Sequence, residues 1–319
     1  MKRSVKIWLI TAASLCLVGA IIFGGVMTVL KWKFSSLWES KFENEVYTLE
    51  GELWDITLIA DTAEIQLVPS LDGKITVKTH EHKNAKHTVS LKDGKLSVEL
   101  NDQRKWYEHV FDFGKCTVTV AIPAGEYGAL SVDSKTGDIL VSRDLTFRSA
   151  DIKLSTGDVK YYASTTGAVN IETSTGDIEV EGVRVGALSL SVSTGDVELS
   201  GVSCEGELSL KVSTGDSEME GVTARSLKST GNTGDIELEG VLIAEKLEIE
   251  RTTGRVRFEG CDAGEIFVTT STGSVRGSLL SEKVFIVRTS TGKTDVPKTA
   301  NGGRCEITTG TGDVKITLR

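Results

Sequence analysis

From Thr136 onward a Thr-Gly step recurs ten times at intervals of 19 or 20 residues, with glycines at Gly137, Gly157, Gly176, Gly195, Gly215, Gly234, Gly254, Gly273, Gly292 and Gly312. A fixed period of this length is the signature of a solenoid, whose repeats bury their apolar faces only by stacking on one another.

Apolar side chains keep phase with the step. Seven residues before the glycine stand Leu130, Val169, Leu188, Leu208, Leu227, Leu247 and Ile266; five before stand Val132, Ile152, Ile171, Leu190, Leu210, Ile249 and Val268; two after stand Ile139, Val159, Ile178, Val197, Ile236, Val256 and Val275. Ser229 interrupts the second of these columns, and Ser217 and Thr294 interrupt the third. A spacing of two is the period of a strand. Each repeat therefore reads as strand, tight Ser-Thr-Gly-Asp turn, strand, and a second corner at Gly182, Gly201, Gly221, Gly240 or Gly260. Parallel crossovers are right-handed, so the expected fold is an all-β, single-stranded right-handed β-helix of about ten coils. Coils spaced about 4.8 Å apart make a rod roughly 50 Å long.

The N-terminus is different material. Residues 7–30 carry no charge, and 24 residues make about 36 Å of helix, enough to cross a hydrocarbon core of about 30 Å. A cleaved signal would have an apolar core of only about 7 to 15 residues, so an uncleaved anchor is expected. Lys2, Arg3 and Lys6 precede the span and Lys31 and Lys33 follow it; the positive-inside rule then gives a single-pass protein of the cell membrane, N-terminus inside and body extracytoplasmic. The resulting division is a cytoplasmic tail (1–6), a transmembrane helix (7–30), a juxtamembrane linker (31–45), an N-terminal β region capping the solenoid (46–124) and the solenoid repeats (125–319). Five basic and no acidic residues fall in the first 33, so of a formal net charge of −9 the remainder carries −14. An acidic body argues against nucleic acid as a partner.

Within 46–124, strands are expected at 53–59, 64–68, 74–79, 87–91, 95–100 and 116–122, with Asp93-Gly94 as a hairpin turn. The glycine period is absent there, which suggests an irregular cover over the first coil. Cys116, Cys204, Cys261 and Cys305 occupy apolar phases, and the coil spacing separates the last three by more than the 7 Å a disulfide spans between Cα atoms, so buried free thiols are expected. His80 and His82 share a strand face; a third histidine such as His87 or His109 would be needed to hold zinc, and no metal or other cofactor is expected.

The strand-rich start, the strand Val118-Thr119-Val120-Ala121-Ile122-Pro123 and the Ser-Thr-Gly-Asp repeats with alternating Val and Ile together resemble the bacterial putative-adhesin family of β-strand-repeat domains. The resemblance covers about residues 46–319. It implies a membrane-anchored binding or scaffold module of the cell envelope, with some relatives linked to envelope stress systems, and it brings no catalytic residues.

Two features are candidates for contact. Asp138, Asp158, Asp177, Asp196, Asp216 and Asp235 follow the glycine in six successive repeats. Stacked in register they form a carboxylate ladder, which is either turn chemistry, since Asp bonds nearby backbone amides, or an edge that binds a cationic peptide or an envelope protein. Trp106, Tyr107 and Phe111 lie in a long excursion between strands, as protein-contact anchors or as a lid on the first coil. A purely structural spacer is the alternative function. A polysaccharide-active enzyme is disfavoured, because uniform coils leave no cleft and the repeats contain no histidine.

Overall fold

A computed structural model describes residues 3–29, 42–104 and 114–319. Residues 30–41, which include most of the expected linker, and the candidate contact residues Trp106, Tyr107 and Phe111, with His109, lie outside the described residues. Among the described residues a single helix, Arg3–Val29, precedes 28 strands that join into one sheet system. The first strand, Phe42–Leu49, begins inside the segment expected to be a linker.

The repeats form the expected parallel stack. Val169, Leu188, Leu208, Leu227 and Leu247 lie one above the next along the long sheet, and Val159, Ile178, Val197, Ser217 and Ile236 along the short one. These columns are almost wholly buried and join one continuous core. The Thr-Gly turn closes each layer onto the next: the Gly157 amide donates to the Thr175 carbonyl at 2.9 Å, and Gly176 to Thr194 at 3.0 Å. Only glycine fits. At Gly176 φ is +129°, and a Cβ there would overlap the Gly157 carbonyl of the layer beneath.

The N-terminal region is more regular than its sequence suggests. Asp55–Ile59 and Glu64–Pro69 form a true solenoid layer, paired on one side with Gly125–Thr136 and Ile139–Val141 and on the other with Lys95–Asp102 and Thr117–Ile122. Ten Thr-Gly layers and these two make twelve, a stack of about 53 Å at 4.8 Å per step. The outer edge is closed by antiparallel strands: Ala85–Lys92 on Lys95–Asp102, Ile75–His82 on Thr117–Ile122, and Phe42–Leu49 on Ile75–His82. The hairpin at Asp93-Gly94 is present, with φ of +49° and +75° as a type I′ turn requires.

The far end departs from sequential stacking. Val256–Thr272 pairs not with Lys283–Thr291 but with the C-terminal Gly303–Thr311, and Val275–Leu279 pairs with Val314–Leu318. Lys283–Thr291 and Thr294–Asp295 stack on the outside of that coil. The expected order of ten successive coils is thus corrected: the last coil in sequence is next to last in space. Burial supplies the reason. The inserted coil brings Cys305, Ile307, Val314 and Ile316, all buried, whereas the outer coil has Phe285, Val287 and Val296 half-buried and an exposed Thr294 where every other Thr-Gly layer except that of the buried Ser217 carries Val or Ile. Solvent meets the more polar repeat, as a terminal coil requires.

Cys204, Cys261 and Cys305 are free and buried, while Cys116, expected to be buried, is half-buried. Cys305 sits directly on Ile266, one layer closer to Cys261 than sequential stacking would put it. Cys305 lies within Gly303–Thr311, and Cys261 lies within Val256–Thr272, directly after the positive-φ Gly260 and at a register shift.

Candidate functional site

The aspartate ladder exists, and its members have a structural task. Oδ1 of Asp138 accepts the backbone N–H of Asp158 at 3.0 Å; the same bond runs from Asp177 to Asp158, Asp196 to Asp177, Asp216 to Asp196 and Asp235 to Asp216, at 2.7–2.9 Å. Arg255 ends the run, its amide on Asp235 Oδ1 at 2.7 Å and its Nε on Oδ2 at 2.8 Å. Burial pushes the Asp235 carboxyl up, but the bonds from Arg255 outweigh it and leave the group below the usual carboxylate range. Asp313 repeats the device by accepting the Lys293 amide at 3.0 Å. One oxygen of each ladder carboxylate is therefore committed to turn geometry, as short Asx side chains favour.

A second acidic column, not singled out from the sequence, lies beside the first. The short strands place Lys160, Glu179, Glu198, Glu218, Glu237 and Arg257 in register on the outward face. They stand three residues past each Thr-Gly glycine, so the period that reveals the core would have revealed them too. Together the columns line a shallow groove walled by Asp158, Asp177, Asp196, Asp216, Glu198 and Glu218. Cations bracket its ends. Lys160 pairs with Glu179 at 2.8 Å and Arg143 with Glu181 at 3.3 Å at one end, while Arg257 reaches Glu237 at 3.6 Å and Glu259 at 3.4 Å at the other. Between them Asp177, Asp196, Asp216, Glu198 and Glu218 make no ion pair among the described residues. Like charges stacked at strand spacing repel and favour a counter-charge.

Beneath this face lies a buried cation. Arg251 enters the core, donating from Nη2 to Ser217 Oγ at 3.2 Å and to Ser229 Oγ at 3.0 Å. Gly231 gives it room, since a Cβ there would strike the guanidinium. Desolvation lowers the Arg251 pKa, against an opposing pull from Asp216. The two serines that break the apolar columns are its hydrogen-bond partners.

The histidines take separate roles in the cap. His80 bonds Asn44 Oδ1 at 2.7 Å and stacks on Phe42, His82 meets the edge of the same ring, and His87 pairs with the fully buried Glu81 at 2.7 Å. Among the described residues no three His, Cys, Asp or Glu side chains are grouped to hold a metal ion.

The architecture thus defines a parallel β-solenoid with one carboxylate-lined face. The chain belongs to the Toastrack DUF4097 family, whose model matches residues 54–209 and 205–319. Among solved structures it is similar to a putative adhesin from Bacteroides fragilis (17% identity, 88% of this chain and 98% of that one, TM-score 0.42). It is also similar to a putative adhesin from Parabacteroides distasonis (13%, 87% and 97%, 0.44) and a putative lipid binding protein from the same organism (11%, 86% and 97%, 0.42). No curated protein matches the sequence.

Proposed function

We propose that this protein is a membrane-anchored, extracytoplasmic binding or scaffold module of the cell envelope whose acidic sheet face receives a cationic partner such as a basic peptide. The observation that carries the reading is the run of carboxylates that form no ion pair among the described residues, Asp177, Asp196, Asp216, Glu198 and Glu218, framed by paired cations at both ends. Its glutamates hold no strand together, so their charge is available to a ligand. No catalytic role is assigned to any residue.

Anchoring is the second part of the proposal. Among the described residues no helix is long and apolar enough to cross a membrane. The reading rests instead on the uncharged sequence from Ile7 to Leu30 and on the length of Arg3–Val29, 27 residues, or about 40 Å of helix. It is also supported by exposed Trp8, Ile10, Leu15, Leu17, Ile21 and Phe23, which no described residue covers. Lipid would remove that surface from water. Protease added to intact cells should digest the body and leave a short protected fragment; full protection would reverse the orientation.

The face is tested by replacing Glu198, Glu218 and Glu237 with Gln and measuring binding of a Lys-rich peptide by calorimetry. Binding to the parent should weaken with salt, because exposed charges are screened over about 8 Å at physiological ionic strength, and the triple variant should lose most of the affinity. Equal affinity and equal salt dependence in both proteins would leave the face a solvated edge and favour the spacer.

A further inference from the structure

We propose that the outer coil, Lys283–Thr291 with Thr294–Asp295, is a strand-addition site that takes an extended acidic segment of a partner protein as one more parallel layer. The two ends of the stack differ. At the N-terminal end the antiparallel strands Ala85–Lys92, Ile75–His82 and Phe42–Leu49 close the edge. At the other end Lys283–Thr291 and Thr294–Asp295 pair inward, with Gly303–Thr311 and Val314–Leu318, and among the described residues no strand lies on their second side. Such an edge presents backbone donors and acceptors to an extended chain.

The ladder, the core and the charge of this edge each select the occupant. From Gly137 to Gly312 every Thr-Gly amide but one donates to the threonine carbonyl of the next layer; the exception is Gly292, which has no layer to reach. The amide two residues further repeats the pattern, from Ile139 on Asp158 to Val314 on Lys293, and stops at Thr294. Gly292 and Thr294 are exposed, so both donors face outward for the carbonyls of an added strand. The core columns also run out here. Phe285 and Val287, two residues apart on the inward phase, are half-buried, and a strand with apolar residues at alternate positions would continue both columns and take them out of water. Charge then fixes the remaining positions. Lys293 stands where the acidic layers carry aspartate, and it and Lys298, both exposed, make no ion pair among the described residues; of the exposed acids Glu282 and Asp295, the second is held by Lys315 at 3.9 Å. Outward carboxylates on the added strand complement those lysines. Main-chain bonds supply affinity in this mode and alternate side chains supply specificity. The layers of Gly254, Gly273 and Gly312 separate the edge from the last acidic layer, so the site is distinct from the carboxylate-lined face.

The test uses the full chain in detergent and a short labelled peptide of alternating Val and Glu, with a peptide of the same composition arranged in two blocks as control. The alternating peptide should bind, lose affinity with salt, and slow amide hydrogen exchange at Gly292 and Thr294, and the block peptide should do none of these. Thr294→Pro removes an amide that makes no backbone bond within the protein and is tolerated on an edge strand; it should weaken binding at least about tenfold with little change in melting temperature. Lys293→Glu with Lys298→Glu should weaken it as well, whereas the Glu198→Gln, Glu218→Gln, Glu237→Gln variant should bind as the parent does. Equal affinity for the two peptides, or exchange at Gly292 and Thr294 unaltered by saturating peptide, would overturn strand addition. Loss of binding in the glutamine variant would move the peptide to the acidic face and overturn it too. Should Thr294→Pro melt early, amide exchange in the parent decides alone.

Discussion

Arg251 shows how one side chain reshapes a repeat. A charge inside a rod of leucines is costly unless hydrogen-bonded, and Ser217, Ser229 and Gly231 are the local adjustments that admit it. Arg251→Leu should lower stability by about 2 kcal/mol, because two buried hydroxyls lose their partner. Adding Ser217→Val and Ser229→Leu should recover that loss, as residues sharing one network couple. Urea midpoints of the three proteins decide; additive losses would mean that Arg251 and the serines act independently. At the ladder, Asp196→Asn keeps an Oδ1 acceptor for the Asp216 amide and should leave stability nearly unchanged, whereas Asp196→Ala should cost about 1 kcal/mol. Indistinguishable Asn and Ala variants would deny the inter-layer bond its role. Burial pushes the Cys305 thiol up to about 12, so alkylation at pH 8 should proceed only at the rate of unfolding, and rapid labelling of the native protein would contradict the buried position.

At the scale of the repeat, two kinds of glycine turn differ in what confines them. Gly182 has φ of +64° with open space around its Cβ position, while Gly195 has φ of +142° and faces the Gly176 carbonyl of the adjacent layer. Gly182→Ala should cost about 1 kcal/mol, and Gly195→Ala at least about 3 kcal/mol, since strain and overlap add. Thermal melts showing equal losses would mean that the close approach relaxes freely. Such turns were legible from the sequence because one glycine per period coincides with a strand period of two, and both signals are local. Stacking order was not legible. Every repeat carries the same phase, so Gly292 and Gly312 are equally suited to follow Gly273, and the choice rests on small differences in polarity such as Thr294 against Val314. The ladder was legible as a position but not as a set of bonds, since an aspartate after glycine serves a turn and a ligand equally well. The glutamate column needed only attention to outward positions, whereas the layer Asp55–Ile59 could not be recognised without the glycine period.

For the molecule as a whole, charge is distributed as a central acidic field with basic margins. Hydrogen bonding to Lys160 and Tyr162 holds the Glu179 carboxyl below its ordinary value. A carboxyl whose folded pKa is depressed contributes stability above its unfolded value, and that contribution disappears as pH falls through the folded value, here below the ordinary carboxylate range. Lys160→Met should therefore be less stable than the parent at pH 7, with the deficit closing on acidification toward pH 3. A deficit that persists at low pH would assign the effect of Lys160 to packing of its methylenes.

The placement of the chain's end has a mechanical consequence. In a solenoid stacked in sequence order the C-terminus hangs on an edge strand, and a pull on it peels one ladder bond by bond. Here Gly303–Thr311 is held on both sides, and Val314–Leu318 is held along its length by Val275–Leu279 and by the outer coil at Val314 and Lys315, so a force on Arg319 first strains one ladder at residues 316–318 and then loads two together. An unfolding machine that pulls from this side reaches the doubly secured point at Lys315 only after those three residues have parted.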